Sequence, residues 1–415
     1  MSPAAATDLA ERLERWAREA GFDRAGVAVL EPSRQGHHLR RWLELGWHAE
    51  MEWIARRTEL REDPARLLPG ARSVLCVALQ YHPLVGQEEP TGDLWPRVAR
   101  YARGRDYHDV MGKRLRALAA RIREAMPDCD TRPYVDTGPL LERELASRAG
   151  LGSQGKNTQL LHRDWGSWFL LGEILLTVDV GGDSADRSEA GSRDSAATAT
   201  QAEPIEAVPP DLCGNCSRCL EACPTGALDR AYRLDSNRCI SYWTIEHRGD
   251  LPEAAREMIG DWVFGCDICQ EVCPWNDKPR TGRPYSGDHP ELRLPAKRGE
   301  LDLAGLLALD REGYVERFQV SPMKRAKLEG LRRNAAVVMG NRGDQGYLEP
   351  LTRALADDSA LLRRHAAWSL GRLRCDGAVA ALSARRGVEK EASVQAEIVA
   401  ALAASAGAQT AGENS

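Results

Sequence analysis

The sequence predicts a multidomain α+β protein with three folded parts in series. These are a mixed α/β domain over 1–180, a small cysteine-rich domain over 211–285, and a run of paired helices over 300–405, with 181–210 a disordered loop. Three observations carry this prediction. Apolar strand-like runs alternate with amphipathic helical periods through the first 180 residues. Eight of the eleven cysteines fall between 213 and 273. Near the C-terminus, "LRRNAAVVMG" (331–340) returns as "LRRHAAWSLG" (362–371). At 415 residues the chain is long enough for several cores.

Residues 8–20 place Leu9, Leu13, Trp16 and Ala17 on one helical face. "RAGVAVL" (24–30), "SVLCVALQY" (73–81) and "WFLLGEILLTVDV" (168–180) read as buried strands, the last interrupted by Gly172. Between them, 110–125 has a helical period. Residues 181–210 are Gly, Ser, Ala, Asp and Pro rich and cannot support a core. The C-terminal repeats, with a weaker echo at 393–402, are alanine-rich amphipathic helices of the kind that stack into a HEAT-like solenoid. The tail after about 405 reads as unstructured.

Charge is uneven behind a net −5. Residues 97–125 hold nine Lys/Arg against three acids, and residues 321–386 hold thirteen against six. Such zones suit a polyanionic partner, or are solvated helix faces. No secretory leader or eighteen-residue apolar run is present, so a cytoplasmic protein that does not cross a membrane is expected. In that compartment eleven cysteines argue for metal ligation rather than disulfides.

Cys213, Cys216, Cys219 and Cys223, followed by Pro224, form the C-x2-C-x2-C-x3-C-P run. In ferredoxins of this type three thiolates hold one [4Fe–4S] cube and the fourth crosses to a second. The second set is Cys239, Cys266, Cys269 and Cys273, followed by Pro274. One cluster is therefore assigned Cys213, Cys216, Cys219 and Cys273, the other Cys223, Cys239, Cys266 and Cys269. Paired structural zinc sites are the alternative; the spacing and the two Cys-Pro endings favour iron.

"PYVDTGPLLERELASRAGLGSQGKNTQLL" (133–161) is the best candidate for an electron acceptor's site. A strand-like run ends at Asp136, a Thr137–Gly138–Pro139 turn follows, and a glycine loop leads to Lys156, Asn157 and Thr158. Asp136 reads either as a catalytic acid or as a helix N-cap.

Taken together, "YVDTGPLLERELA", "GLGSQGKNT", "YARGRDYH" (101–108), "CISYWTIE" (239–246) and the ferredoxin run resemble the epoxyqueuosine reductases. The resemblance spans about 10 to 375. It implies a corrinoid-binding α/β domain related to the reductive dehalogenases, with cobalamin held base-off between it and the ferredoxin domain. It also implies reduction of an epoxide to an alkene in the anticodon loop of tRNA, the last step of queuosine synthesis. Two electrons and two protons enter and the oxygen leaves as water. A base-off histidine motif, D-x-H-x-x-G, is missed by one position in "DYHDVMG" (106–112).

By the same resemblance Asp136 is the proton donor, expected to be buried with a raised pKa. Arg57, Tyr101, Asp136, Lys156, Asn157, Thr158, Ser167, Ser241 and Asp267 are the expected cobalamin contacts. Arg57 reads equally as a solvated helix residue and Ser167 as a strand flank. Arg143, Tyr107 and His108 are assigned to substrate, although Arg143 can instead pair with an acid such as Glu144. Lys324, Arg325, Arg332, Arg333, Arg363 and Arg364 on the solenoid are expected to track tRNA phosphates. The expected partners are tRNA and an external low-potential electron donor, with the chain a monomer. A reductive dehalogenase, or an electron-carrying ferredoxin on a helical scaffold, are the rival readings.

Overall fold

The computed structural model describes residues 3–81, 98–183, 211–276, 289–292 and 302–412. Most of the loop expected over 181–210, and 277–285 of the cysteine-rich domain, lie outside the described residues. The chain forms two compact units that do not follow its linear segments. The first contains 1–87, 106–237 and 267–292; the second contains 88–105, 238–266 and 293–415. The cysteine-rich segment is thus shared between them.

The first unit is built on a sheet of β1 (Arg24–Val29), β2 (Ser73–Gln80), β3 (Thr131–Tyr134) and β6 (Phe169–Leu176), in the order β1-β2-β6-β3. All neighbours are antiparallel. A short hairpin, β4 (Ser153–Gln154) with β5 (Leu160–Leu161), stands apart. Strands β1, β2 and β6 lie where the apolar runs predict them, because such runs are covered on both faces. One face carries α1 (Pro3–Glu19) and α5 (Tyr107–Ala125). Gly172 does not interrupt β6: it admits α5, since a Cβ there would lie 2.9 Å from Leu115 Cδ1. On the other face, Leu145 and Ala146 of α6 (Glu142–Arg148), with Ala149 just after it, pack on Cys76, Ala78 and Leu175. Short helices α2 (Gly36–Glu44), α3 (Glu52–Ala55) and α4 (Thr58–Glu62) lead from β1 towards β2.

The second unit is an all-helical core. Helices Lys327–Arg342, Ala360–Leu373 and Ala392–Gly412 contain the three repeated frames. The last helix runs through the expected unstructured tail as far as Gly412, in keeping with its alanine content. Close stacking shows at Gly340, where a Cβ would sit 2.7 Å from Ser369 Oγ.

The repeated arginines are largely spent inside the unit, which revises their expected role as a phosphate track. Arg332 bonds Asp357, Arg363 bonds Glu389, Arg364 pairs with Asp250 and Glu397, and Arg325 pairs with Glu246. Lys324 Nζ donates to the Gln319 carbonyl. Arg333 is 1% exposed and donates to the carbonyls of Trp243, His247 and Gly249. Next to it Asn334, fully buried, donates to the carbonyls of Thr244 and Val263. One repeat later His365 Nε2 accepts from the Leu251 amide. The inner faces of these helices therefore hold the chain between Cys239 and Cys266 by its backbone. Among the described residues no helix is long and apolar enough to cross a membrane.

Candidate active site and iron–sulfur centre

In the first unit Cys213, Cys216, Cys219 and Cys273 line one pocket. These are the four thiols assigned to one cluster. The helices Arg218–Ala222 and Ile268–Glu271 flank the pocket and carry Cys219 and Cys269. Trp275 Nε1 donates to the Leu212 carbonyl and closes the two ends of the motif on each other. Burial pushes the Cys213 thiol up, and burial with Cys213 and Cys273 as neighbours pushes Cys219 up to about 11. Thiols so grouped ionise together only around a multiply charged centre. Burial alone would raise Cys223; the Thr225 hydroxyl and the Leu228, Thr225 and Ala227 amides outweigh it and hold this thiol below its ordinary value. Hydrogen bonds of this kind tune cluster sulfurs. Cys239 and Cys266 belong to the second unit.

Four of the nine residues expected to contact cobalamin bond the loops that carry these cysteines. The Lys156 amide donates to Cys213 Sγ at 3.4 Å, and its Nζ donates to the carbonyls of Gly214 and Cys216. Asn157 is buried and donates to the Cys269 carbonyl. The Ser167 hydroxyl donates to Gln270 Oε1, and its amide to Asn276 Oδ1. Gly166, at φ 64°, makes room for that asparagine, since a Cβ would stand 1.7 Å from Asn276 Oδ1. Asp267 is 1% exposed and accepts from Gln270. Tyr101 lies in the second unit, its ring 6.3 Å from that of Phe264, and Ser241 is there too, just ahead of the turn Tyr242–Glu246.

Asp136 does not cap a helix: α6 begins six residues later behind Leu141. It adopts φ 54°, an uncommon conformation for a side chain other than glycine. The Tyr107 hydroxyl donates to its Oδ2 at 2.9 Å, and His108 Nε2 lies 3.3 Å from the same oxygen. The other ring nitrogen of His108 is 2.7 Å from Asp106 Oδ1, and that oxygen also caps α5 through the His108 amide. The near-miss corrinoid motif is thus an Asp–His pair facing Asp136. Burial lowers the His108 pKa, but its two carboxylate partners outweigh that and raise it to about 9, so the ring is cationic at neutral pH. Tyr107 and His108, assigned to substrate from the sequence, rest on the proposed acid.

The expectation that Asp136 is buried is not met, as its side chain is 57% exposed. Two other carboxyls lie beneath it, Glu142 half-buried and Glu173 fully buried. Glu142 Oε1 accepts the Asp136 amide at 2.8 Å, and Glu173, in the middle of β6, is fully buried. The sequence reading passed over both. The available signal was one acid inside the apolar run "WFLLGEILLTV". Arg143 pairs with neither, donating instead to the Thr158 carbonyl of the glycine loop. Thr158 takes φ 65°. Glu144, the other expected partner of Arg143, is turned to the Ser33 hydroxyl and the Arg34 amide.

Arg57 and Arg143 remain exposed, like Asp136. This open, polar set fits a large flat macrocycle edged with amides, whereas Lys156, Asn157 and Ser167 fit the iron–sulfur loop.

Residues 212–276 match the family described as 4Fe-4S double cluster binding domain, and 324–403 match HEAT repeats. Residues 61–137 match the epoxyqueuosine reductase QueG family, DUF1730. An epoxyqueuosine reductase of Xanthomonas campestris pv. campestris is 40% identical over 377 residues, covering 88% of this chain and 96% of that relative. The chain belongs to the epoxyqueuosine reductase family. As such it is an oxidoreductase with a double-cluster iron–sulfur domain and a helical-repeat region. Two solved epoxyqueuosine reductases share its fold. One, crystallised with an epoxyqueuosine-modified tRNA-Tyr stem loop, is 29% identical with a TM-score of 0.81, covering 96% of this chain and 99% of that one. The other, from Bacillus subtilis with its catalytic aspartate loop swung out of the active site, is 28% identical with the same TM-score and coverage.

Proposed function

We propose that this protein reduces epoxyqueuosine to queuosine in the anticodon loop of tRNA, with Asp136 giving the first proton. The observation that carries the reading is an exposed carboxyl, held by Tyr107 and His108, in the same compact unit as a four-thiol pocket. Epoxide opening places negative charge on the leaving oxygen, and an acid within hydrogen-bond reach collapses it. Tyr107 and His108 orient Asp136 for that transfer and steady the carboxylate left behind. The relative with a catalytic aspartate on a movable loop supports the same role for Asp136, which sits in a left-handed turn.

Cobalamin would supply the two-electron reducing power in a domain related to the reductive dehalogenases, with [4Fe–4S] clusters providing single electrons. Arg57, Arg143 and Asp136 of the first unit would bear on it. Cys213, Cys216, Cys219 and Cys273 hold one cluster; Cys223, Cys239, Cys266 and Cys269 hold the other. The tRNA presents an unstacked base, as single-stranded loops do. An external low-potential donor feeds a monomer working in the cytoplasm.

The test is anaerobic turnover with added cobalamin, a strong reductant and an epoxyqueuosine-bearing stem loop, read by nucleoside analysis. Queuosine is expected; unreacted epoxide from protein with full iron would overturn the reading.

A further inference from the structure

Strand register sets Cys76 of β2, Glu173 of β6 and Tyr134 of β3 side by side. Glu173 therefore points to the face covered by α6, where Glu142 meets it. As two carboxylates neither can donate, and both Glu173 oxygens would then be buried without a partner. One proton resolves this: Glu173 O–H donates to Glu142, whose Oε1 also accepts the Asp136 amide. We propose that Glu142 and Glu173 form a proton-holding carboxyl pair that recharges Asp136 between proton deliveries, a role that rests on Asp136 being the acid. Glu173 gives its proton to Glu142, which passes it to the Asp136 carboxylate, leaving the pair one proton short with the Asp136 amide still donating to Glu142. Solvent then reprotonates Glu142 from its partly exposed side. The reaction consumes two protons, and a single carboxyl carries one.

The charged and titratable groups around the pair agree with this. Burial comes first in both and favours the protonated forms, as does Asp136; Glu142 raises Glu173 further, whereas the Glu173 hydrogen bond holds Glu142 down. Glu142 is raised to about 7, and Glu173 is raised well above the usual carboxylate range. Arg143 and Arg61 oppose this for Glu142. Cys76, itself pushed up by burial and by Glu173, stays a neutral thiol. On the far side of Asp136, His108 favours the carboxylate. Asp136 thus sits between a cation that welcomes its charge and an acid pair that returns its proton.

The test compares Glu173→Gln with wild type across pH, keeping Asp136→Asn as a reference. Glutamine fills the same space and still donates to Glu142 but cannot hold an ionisable proton. At pH 8, where bulk protons are scarce, Glu173→Gln is expected to turn over about tenfold more slowly, and at pH 6 within about twofold of wild type. Isotope-edited infrared spectra should show a protonated glutamic acid in wild type that is missing from the variant. Native protein binds more protons than the unfolded chain above the ordinary carboxylate value of 4.5, so wild-type stability should fall as pH rises through that region, and less steeply in Glu173→Gln. Matching pH–rate profiles together with an inactive Asp136→Asn would overturn the pair's role alone. An active Asp136→Asn would overturn both readings.

Discussion

Asp136→Asn is expected to lower conversion of epoxyqueuosine roughly 10²–10⁴-fold, the usual worth of a positioned general acid. The amide keeps the size of the carboxyl and can still accept from Tyr107 through its oxygen, so orientation survives while the proton is lost. Iron content and stem-loop affinity should be unchanged, because Asp136 touches neither the four-thiol pocket nor its supporting residues Lys156, Asn157 and Ser167. The measurement is single-turnover nucleoside analysis with iron quantified on the same preparation. A loss confined to KM would recast Asp136 as a binding residue, since a group acting only in the transition state lowers kcat. Asparagine also tolerates a left-handed backbone better than most residues, so the turn at φ 54° should hold.

Asn334→Leu is expected to cost the second unit several kcal/mol and to strip iron from the protein. The side chain is fully buried and donates to the carbonyls of Thr244 and Val263, while its oxygen accepts from Arg333. Leucine leaves both carbonyls without donors, at about 1–3 kcal/mol each. Thr244 in turn bonds the Gly265 amide, one residue from Cys266, and the Ile240 carbonyl, one residue from Cys239. The damage therefore arrives at both cluster cysteines of this unit. Iron per chain should fall while the sheet of the first unit persists, as read by metal analysis and amide hydrogen exchange. An exposed change on the same repeats, such as Val399→Ser at 53% exposure, should leave iron intact. Full iron in Asn334→Leu would show that these helices do not hold the segment in place.

Much of this architecture was legible in the residues, for reasons that also explain the misses. Strands β1, β2 and β6 announce themselves as apolar runs, and cysteine spacing alone groups the four thiols that line the Cys213–Cys273 pocket. The repeat frame located the helices, but not the use of their polar positions. Two adjacent arginines on an amphipathic helix read as an outer face, whereas Arg332 closes an ion pair and Arg333 reaches inward to three carbonyls. Periodicity cannot tell these apart, because the carbonyls belong to a segment some 90 residues away. Asp136 was found from its place at a strand end, yet its exposure was misjudged. The desolvation ascribed to it falls on Glu142 and Glu173, brought under it by strand register and helix packing. Tyr107 and His108 stand out as a motif, but their hydrogen bonds to Asp136 could not be read from spacing for the same reason.

Glu173 interrupts what would otherwise be a continuous greasy seam between sheet and helix. Valine or leucine there would knit the seam shut, and the chain should then withstand more heat, most of all in alkaline buffer. Any laboratory selection that rewards endurance alone should drift towards such replacements, yielding hardier molecules that work less well.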